Sequence, residues 1–237
     1  MKKKLFGEVV GTALLLYFGT GLVIFGNFND LVGPAIGWGF ALAVLIYAFG
    51  PLSGAHFNPA VTLMMYLTKR MEATEAFIYV LAQLIGGLIG ETLVVMTYKS
   101  FLRGTGGIWT QEIAKNHLNS TVFPNISSGV AFLTEVVLTT FLLVLILVLN
   151  HAKTNMYAIQ SPIAVGLTIA VLVFVGGNLT GASMNPVRSL FPAIYAGGLA
   201  MQNLWVYLTA PFVGSVIAAL VDRYILDESD DTINIAS

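Results

Sequence analysis

One ten-residue pattern occurs twice in this chain, and it restricts the possible folds more than any other feature. Residues 53–62 read Ser-Gly-Ala-His-Phe-Asn-Pro-Ala-Val-Thr, and residues 180–189 read Thr-Gly-Ala-Ser-Met-Asn-Pro-Val-Arg-Ser. Proline is tolerated at the first position of a helix, where its missing N–H is not needed, and asparagine is a favourable N-cap before it. Each copy therefore predicts a helix that begins directly after a loop of small residues.

The two copies lie in matching surroundings. The first copy begins its helix at Asn58–Pro59, and the second begins it at Asn185–Pro186, which is 127 residues later (185 minus 58). The same offset relates five further pairs of identical residues, which are Glu8 and Glu135, Thr12 and Thr139, Gly39 and Gly166, Gly54 and Gly181, and Gly87 and Gly214. A constant offset along most of the chain indicates an internal duplication without net insertion inside the unit.

The composition places the duplicated unit in a lipid bilayer. Of the 237 residues, 57% are hydrophobic and 10% are charged, whereas a soluble domain has about 25% charged residues. A helix needs roughly 20 apolar residues to cross the hydrocarbon core. Six stretches meet this length, at about 5–26, 34–50, 75–98, 129–149, 157–176 and 203–226. The first of them contains Glu8, is too long for the apolar region of a signal peptide and has no clear small-residue cleavage site, so it is predicted to be a retained span.

Two shorter apolar stretches, at about 58–68 and 185–196, follow the Asn-Pro pairs. At a rise of about 1.5 Å per residue, each covers only half of the bilayer, which predicts two re-entrant half-helices. Backbone that is not helical persists at membrane depth only where it is buried in protein or lines a water-filled cavity. The loops in front of the half-helices therefore predict a cavity inside the protein.

Each repeat contains three predicted spans and one half-helix. Because three is odd, the second copy enters the membrane from the opposite side, and the half-helices meet with Asn58 beside Asn185. Most basic residues fall on one side of the membrane, namely Lys2, Lys3, Lys4, Lys69, Arg70, Lys153 and Arg223, against Lys99, Arg103 and Lys115 on the other. This bias predicts that both termini are cytoplasmic.

The whole chain, residues 1–237, is predicted to be a single transmembrane domain. The first repeat covers about 5–98, an outer connecting loop about 99–128, and the second repeat about 129–226. An acidic, solvated cytoplasmic tail follows at 227–237.

The paired Asn-Pro motifs, the six spans and the inverted repeat together resemble the aquaporin family, the major intrinsic proteins, over about residues 5–226. The resemblance implies an all-α membrane fold of six transmembrane helices and two re-entrant half-helices. It also implies a homotetramer in the plasma membrane, with one pore in each subunit for water and small neutral solutes. The first motif continues with Ala60, as the family does, but Val187 stands where the second motif usually has alanine.

The same resemblance assigns residues to the pore wall. Asn58 and Asn185 would donate hydrogen bonds to passing oxygen atoms. The carbonyls of the preceding loops would form a ladder of acceptors, at Gly54, Ala55 and His56 and at Gly181, Ala182 and Ser183. The outer constriction, called the filter below, would consist of Trp38, Val173, Ala182 and Arg188.

This filter favours solutes larger than water. Water-selective members of the family usually have histidine at the position of Val173 and a smaller aromatic residue at that of Trp38. A wide filter with an apolar face and fixed arginine donors suits glycerol, and it resembles plant nodulin-type channels associated with glycerol and lactic acid. Protonated lactic acid and hydrogen peroxide are therefore further candidate solutes. The alternative is a water-selective channel, because Ser189 and Ala193 resemble the water-channel pattern, although Leu208 does not.

Buried carboxylates leave a third hypothesis open. A proton-coupled secondary transporter would use Glu8 and Glu135, one in each repeat. The favoured interpretation is structural, because the N–H groups of the re-entrant loops need acceptors, and His56 is likewise interpreted as fixing its loop. Glu91 differs from these two glutamates, because its counterpart in the second repeat is Ala218. Its place is expected to be a subunit interface or a cavity.

The sequence favours no enzyme. The chain has no cysteine and shows no nucleophile or acid–base pair, and we expect no cofactor, metal or nucleic-acid partner.

Overall fold

The computed structural model describes residues 1–26, 28, 30–151 and 155–226, apart from the side chains of 155–159. Every regular element in this part of the chain is a helix. Lys153 and the acidic tail at 227–237, for which the sequence predicted a cytoplasmic position, lie outside the described residues.

Six long helices are apolar enough to cross a membrane. They are α1 (Lys2–Phe25), α2 (Val32–Ser53), α4 (Ala73–Thr105), α6 (Ser128–His151), α7 (Asn155–Thr180) and α9 (Gly198–Val221). Three helices are short, namely α3 (Pro59–Leu67), α5 (Trp109–Asn116) and α8 (Pro186–Ala196). The predicted six spans and two half-helices, α3 and α8, are therefore confirmed. We call the side on which α1 begins the termini side, and the opposite side the far side.

The packing of the long helices follows the internal duplication. Helix α1 packs on α4, and α6 packs on α9 in the equivalent way, while α2 packs on α7 and joins the two repeats. At this joint Gly39 and Gly166 face each other. A Cβ atom on Gly39 would lie 2.4 Å from the carbonyl oxygen of Gly166, and one on Gly166 would lie 2.5 Å from that of Gly39. The absence of both side chains lets the two backbones touch.

Both half-helices begin as their sequence predicts. Asn58 has an extended backbone, and its Oδ1 accepts a hydrogen bond from the N–H of Ala60 at 2.8 Å. Asn185 is also extended, and its Oδ1 accepts from the N–H of Val187 at 3.0 Å. Each side-chain amide thus satisfies N–H groups that a helix start leaves without an intrahelical partner, one at Asn58 and two at Asn185, which also accepts from the N–H of Arg188 at 3.4 Å.

The segment that connects the repeats differs from the predicted surface loop at 99–128. Helix α4 continues to Thr105 and ends at Gly106, which has a φ of +77°, and α5 follows with Ile113 buried against α4. Thr121 and Phe123 are also buried. The polar composition suggested a surface loop throughout, but Ile113, Thr121 and Phe123 pack into the far end of the bundle.

Candidate functional site

A cavity of about 300 Å³ lies between the two repeats. Its wall includes Leu31 and Pro34 near the far side, and Met65 and Asn150 near the termini side. Both re-entrant loops contribute. The six loop residues whose carbonyls were expected to act as acceptors all line it: Gly54, Ala55, His56, Gly181, Ala182 and Ser183. The cavity therefore follows the path that the loops in front of the half-helices predicted.

Asn58 and Asn185 meet at the middle of this cavity and bind each other's repeat. The Nδ2 of Asn58 donates to the carbonyl of Met184 at 2.8 Å, and the Nδ2 of Asn185 donates to the carbonyl of Phe57 at 2.9 Å. Since an amide nitrogen carries two hydrogens, each asparagine keeps one N–H for another acceptor. Both asparagines line the cavity, so a molecule passing between them meets two donors.

The first re-entrant loop is held by Glu8, which is fully buried in α1. Its Oε1 accepts hydrogen bonds from Ser53 Oγ at 2.7 Å and from the N–H of His56 at 3.0 Å. Its Oε2 accepts from the N–H of Phe57 at 2.9 Å and from Gln83 Nε2 at 2.8 Å. One carboxylate therefore satisfies two backbone N–H groups that lie away from water.

Glu135 holds the second loop in the equivalent way from α6. Its Oε1 accepts from Thr180 Oγ1 at 2.6 Å and from the N–H of Ser183 at 2.9 Å, and its Oε2 accepts from the N–H of Met184 at 2.9 Å. Neither Glu8 nor Glu135 lines the cavity. The two carboxylates therefore face the loop backbones from behind.

All four residues of the filter line the far half of the cavity. Arg188 is 7% exposed, and its Nη1 donates to the carbonyl of Asn119 at 3.0 Å. Its guanidinium carbon lies 5.0 Å from the centroid of the Trp38 ring, within the range of a cation–π contact. Val173 and Ala182 leave the remaining wall apolar and add no side-chain donor. The structure thus brings together all four residues that the resemblance selected.

An apolar wall opposite the carbonyls follows from the resemblance, but apart from Trp38 and Val173 its residues were not predicted. Much of it consists of two rows of residues spaced by four, of which only Ser161 has a polar side chain. The rows are Pro34, Trp38, Leu42 and Ile46 on α2 and Ser161, Val165, Ile169, Val173 and Gly177 on α7. Residues four apart lie on one face of a helix. Counting in steps of four from Trp38 and from Val173 would have found both rows, whereas hydrophobicity alone could not, because the lipid-facing sides are apolar too.

Sequence differences between the two repeats make the two ends of the cavity unequal. The filter residues Trp38, Val173, Ala182 and Arg188 have repeat counterparts at an offset of 127, which are Val165, Ile46, Ala55 and Val61, and these four also line the cavity. Val61 takes the place of the arginine. Near the termini side the corresponding ring is therefore apolar, and the only guanidinium lining the cavity in the described part of the chain belongs to the far half.

Four other residues of the Asn-Pro motifs do not line the cavity. Pro59, Ala60, Pro186 and Val187 are buried in helix packing. Val187 contacts Leu16 and Phe191, and it occupies the space that a side chain on Gly87 would need, 2.4 Å from the ideal Cβ position. The unusual valine is therefore accommodated behind the pore and leaves the amide of Asn185 in place.

Polar side chains behind the first loop complete its support. The Nδ1 of His56 lies 3.0 Å from Thr62 Oγ1, and Gln83 Nε2 also donates to Thr62 Oγ1 at 2.9 Å. Tyr79 donates from its hydroxyl to the carbonyl of Ser53 at 2.8 Å. In the described part of the chain, no group of three or more histidine or acidic residues is arranged to hold a metal ion.

Glu91 occupies neither of the places considered for it. It is fully buried inside the subunit, it does not line the cavity, and its Oε2 accepts from Thr20 Oγ1 at 3.3 Å. The apolar surroundings of the third span gave no indication that this carboxyl faces α1. A position at a subunit interface is therefore wrong.

Comparison with known proteins agrees with this architecture. A model of the major intrinsic protein family matches residues 1–222. The chain belongs to this family. Glycerol uptake facilitator protein-like 6 of Lactiplantibacillus plantarum is 40% identical over 222 residues, which cover 93% of this chain and 97% of the relative. Nodulin-26 of Glycine max is 36% identical over 227 residues, which cover 92% and 76%.

The fold also matches a solved structure of this kind. The X-ray structure of the aquaglyceroporin from Plasmodium falciparum superimposes with a TM-score of 0.84 at 28% identity, covering 97% of this chain and 98% of the other. Members of the major intrinsic protein family pass small neutral solutes and water through the membrane and are not enzymes. The protein is therefore a multi-pass membrane channel of this family, and its cavity is the candidate pore.

Proposed function

We propose that this channel conducts glycerol, together with water, and excludes protons and ions. The observation that carries the proposal is the composition of the filter, where Arg188 and Trp38 face a wall completed by Val173 and Ala182. Arginine offers several N–H donors in a fixed plane, which match hydroxyl oxygens. The indole ring of Trp38 offers a broad apolar face to the carbon side of the same molecule. Selectivity in such pores follows from the diameter and from the lining groups.

The loop carbonyls and the paired asparagines extend this matching along the pore. Hydroxyl groups that leave the filter can donate to the carbonyls at 181–183 and then at 54–56, and their oxygens can accept from Asn58 and Asn185. Most of the remaining wall is apolar, which suits the carbon backbone of a polyol. A hydrated cation would lose its water shell here, and no negatively charged side chain lines the described cavity to replace it.

Proton exclusion follows from the centre of the pore. The N-termini of α3 and α8 both point at it, and each carries roughly half a positive charge from the helix dipole. A water molecule that accepts from both asparagine amides directs its own hydrogens away from the centre. The hydrogen-bonded chain of waters is thereby interrupted for protons, while the positive potential repels cations.

Stopped-flow light scattering on proteoliposomes tests the glycerol proposal. We expect shrinking vesicles that contain the protein to re-swell with glycerol much faster than protein-free vesicles of the same lipid. Faster water flux without any gain in glycerol flux would overturn the proposal and favour the water-selective alternative, to which Ser189 and Ala193 point.

Protonated lactic acid and hydrogen peroxide are proposed as further solutes, because both are small, uncharged and able to donate and accept hydrogen bonds. Lactic acid uptake should require the protein and should fall when the external pH is raised above the pH at which the acid ionises. Protein-dependent uptake of the lactate anion at high pH would contradict this part of the proposal. Peroxide entry can be followed with a dye enclosed in the vesicles.

We further propose a homotetramer in the plasma membrane with both termini in the cytoplasm. The excess of lysine and arginine on the termini side supports the orientation. Large apolar side chains such as Phe40, Phe77 and Leu133 are exposed on the outer surface of the subunit, where lipid or neighbouring subunits would cover them. Mass measurement in mild detergent tests the oligomer, and protease cleavage of a terminal tag in oriented vesicles tests the topology.

A further inference from the structure

The segment between α5 and α6 reaches from the far surface into the candidate pore. His117, Leu118 and Asn119 all have positive φ angles, of 50°, 54° and 52°. This left-handed turn is held by Asn116, whose Oδ1 accepts from the N–H of Leu118 at 2.8 Å. The turn directs the carbonyl of Asn119 to Arg188 and places the next residues below the surface.

Thr121, two residues further, lies against the second re-entrant loop and is 1% exposed. Its Cγ2 would lie 3.0 Å from a Cβ atom on Gly181, whose φ of +81° also favours glycine. The side chain of Thr121 therefore packs directly on the first of the three residues that present carbonyls to the far half of the cavity.

The hydroxyl of Thr121 begins a chain of hydrogen bonds that ends on the loop backbone. Thr121 Oγ1 donates to Ser189 Oγ at 2.8 Å, and Ser189 Oγ lies 2.5 Å from Ser183 Oγ. Ser183 Oγ in turn donates to the carbonyl of Asn185 at 3.0 Å. With Ser189 donating to Ser183, each hydroxyl donates once and all bonds point the same way, an arrangement in which neighbouring bonds strengthen one another.

In the first repeat, a residue of a transmembrane helix takes the place that Thr121 has in the second. Thr62 is the counterpart of Ser189, and His56 is the counterpart of Ser183, at the same offset of 127. These two residues are also in contact, but the third member there is Gln83 of α4. The counterpart of Gln83 is Ala210, which has no polar side chain. In the second repeat the connecting segment supplies the missing group through Thr121.

We infer that Thr121 is a positioning residue for solute selectivity. Its hydroxyl acts through Ser189 and Ser183 on the carbonyls at 181–183, and the same segment holds Arg188 through the carbonyl of Asn119. The inference rests on the proposed function of the filter. A polyol must contact several of these groups at once, whereas water needs one or two, so a small displacement of the loop affects glycerol more than water.

Two substitutions separate the hydroxyl of Thr121 from its methyl group. Thr121→Val keeps the shape and the contact with Gly181 but removes the donor, and Thr121→Ser keeps the donor but removes the methyl group. In proteoliposomes with equal amounts of folded protein, we expect Thr121→Val to lower the glycerol-to-water permeability ratio by about threefold to tenfold, as for the loss of one hydrogen bond. Thr121→Ser should keep the ratio within about twofold of the unmodified protein by the same reasoning.

Thr134→Val is the matched control, because Thr134 is half-buried on α6, does not line the cavity and donates to its own helix, at the carbonyl of Val130. An unchanged ratio in Thr121→Val, or an equal fall in Thr121→Ser, would overturn the inference. Should Thr121→Val fail to fold, Ser189→Ala breaks the middle of the same chain, and an unchanged ratio in that variant would likewise overturn it.

The inference and the proposed function can fail separately. If the unmodified protein passes water but no glycerol, the glycerol proposal is wrong. The positioning role is then read from water alone, where Thr121→Val should lower the permeability and Thr121→Ser should retain it. Equal water permeability in all three proteins would overturn the inference in that case too.

Discussion

The guanidinium carbon of Arg188 lies 5.0 Å from the centroid of the Trp38 ring. The charged group of the filter therefore packs against the largest apolar side chain of the filter. The carbonyl of Asn119 accepts from Nη1 at 3.0 Å and limits the rotation of the group. The remaining N–H donors are therefore presented in a fixed plane. This relationship makes the shape of the guanidinium, and not only its charge, important for polyol passage.

Arg188→Lys should therefore lower glycerol permeability although it keeps the positive charge. A lysine ammonium is a mobile point charge that cannot stack on the indole ring or offer a planar set of donors. We expect a fall of about threefold to tenfold, equivalent to one lost hydrogen bond, with a smaller change for water. Stopped-flow light scattering measures both permeabilities.

Arg223→Lys is the matched control for this variant. Arg223 also lies near an aromatic ring, with its guanidinium carbon 5.4 Å from the Tyr224 centroid, but it does not line the cavity. Full glycerol permeability in Arg188→Lys would contradict the assigned filter.

Val173→His should convert the filter towards water selectivity. The imidazole is larger than the valine side chain and brings polar nitrogens to a wall that is apolar at this point. Glycerol permeability is expected to fall by at least about tenfold, which corresponds to roughly 1.4 kcal/mol of added barrier, while water permeability is retained.

Val173→Thr separates size from polarity, because threonine has nearly the shape of valine but carries a hydroxyl group. Its glycerol permeability should remain close to that of the unmodified protein. A correctly folded Val173→His protein with unchanged glycerol permeability would show that Val173 does not limit the pore.

Glu8→Gln and Glu135→Gln should both destabilise the protein. Each carboxylate accepts one backbone N–H at each oxygen, from His56 and Phe57 at Glu8 and from Ser183 and Met184 at Glu135. The NH₂ of glutamine must therefore face a backbone donor in either orientation. A buried donor left without an acceptor costs about 1–3 kcal/mol. Thermal unfolding in detergent measures the loss, and an unchanged melting temperature in both variants would contradict the loop-holding role.

The Glu8→Gln variant also distinguishes a channel from a proton-coupled transporter. In a passive channel, glycerol equilibrates at the same rate with or without a pH gradient, and the Glu8→Gln protein that remains folded still conducts. Accumulation of glycerol against its own gradient, driven by protons and lost in Glu8→Gln, would favour the transporter and exclude the channel mechanism.

Gly39→Ala should weaken the joint between the repeats. The new methyl group would lie 2.4 Å from the carbonyl oxygen of Gly166, so α2 and α7 must move apart. Overpacking of this kind costs about 1–3 kcal/mol. Gly129→Ala is the control, because nothing lies within 4 Å of its added methyl group, and alanine there should stabilise the helix by about 0.4–1 kcal/mol. A melting temperature of Gly39→Ala as high as that of Gly129→Ala would contradict the close contact.

The architecture could be predicted because each of its defining motifs occurs twice in the sequence. The offset of 127 residues between Asn58 and Asn185 indicated two equivalent half-helices, and the odd number of spans in each repeat indicated their inversion. Both asparagines then proved to lie at helix starts and at the cavity. Local chemistry was sufficient here, since N-capping by asparagine and the fixed φ of proline act within a few residues.

The connecting segment could not be predicted in the same way. Its left-handed turn at 117–119 and the burial of Thr121 depend on partners that lie far away in the sequence, such as Arg188 and Ser189. The segment also has no counterpart at the repeat offset, so the duplication supplied no second example. Its polar composition is equally compatible with a surface loop, so neither helix α5 nor the buried Thr121 was expected.

The reciprocal bonds of Asn58 and Asn185 have a consequence for how such a chain could arise. Each half carries both the donating amide and, one residue earlier, the accepting carbonyl, so the contact is self-complementary, as in a symmetric dimer. A polypeptide of half this length could already make this contact with a second copy of opposite orientation in the membrane. Gene fusion would then only have to tether partners that matched beforehand.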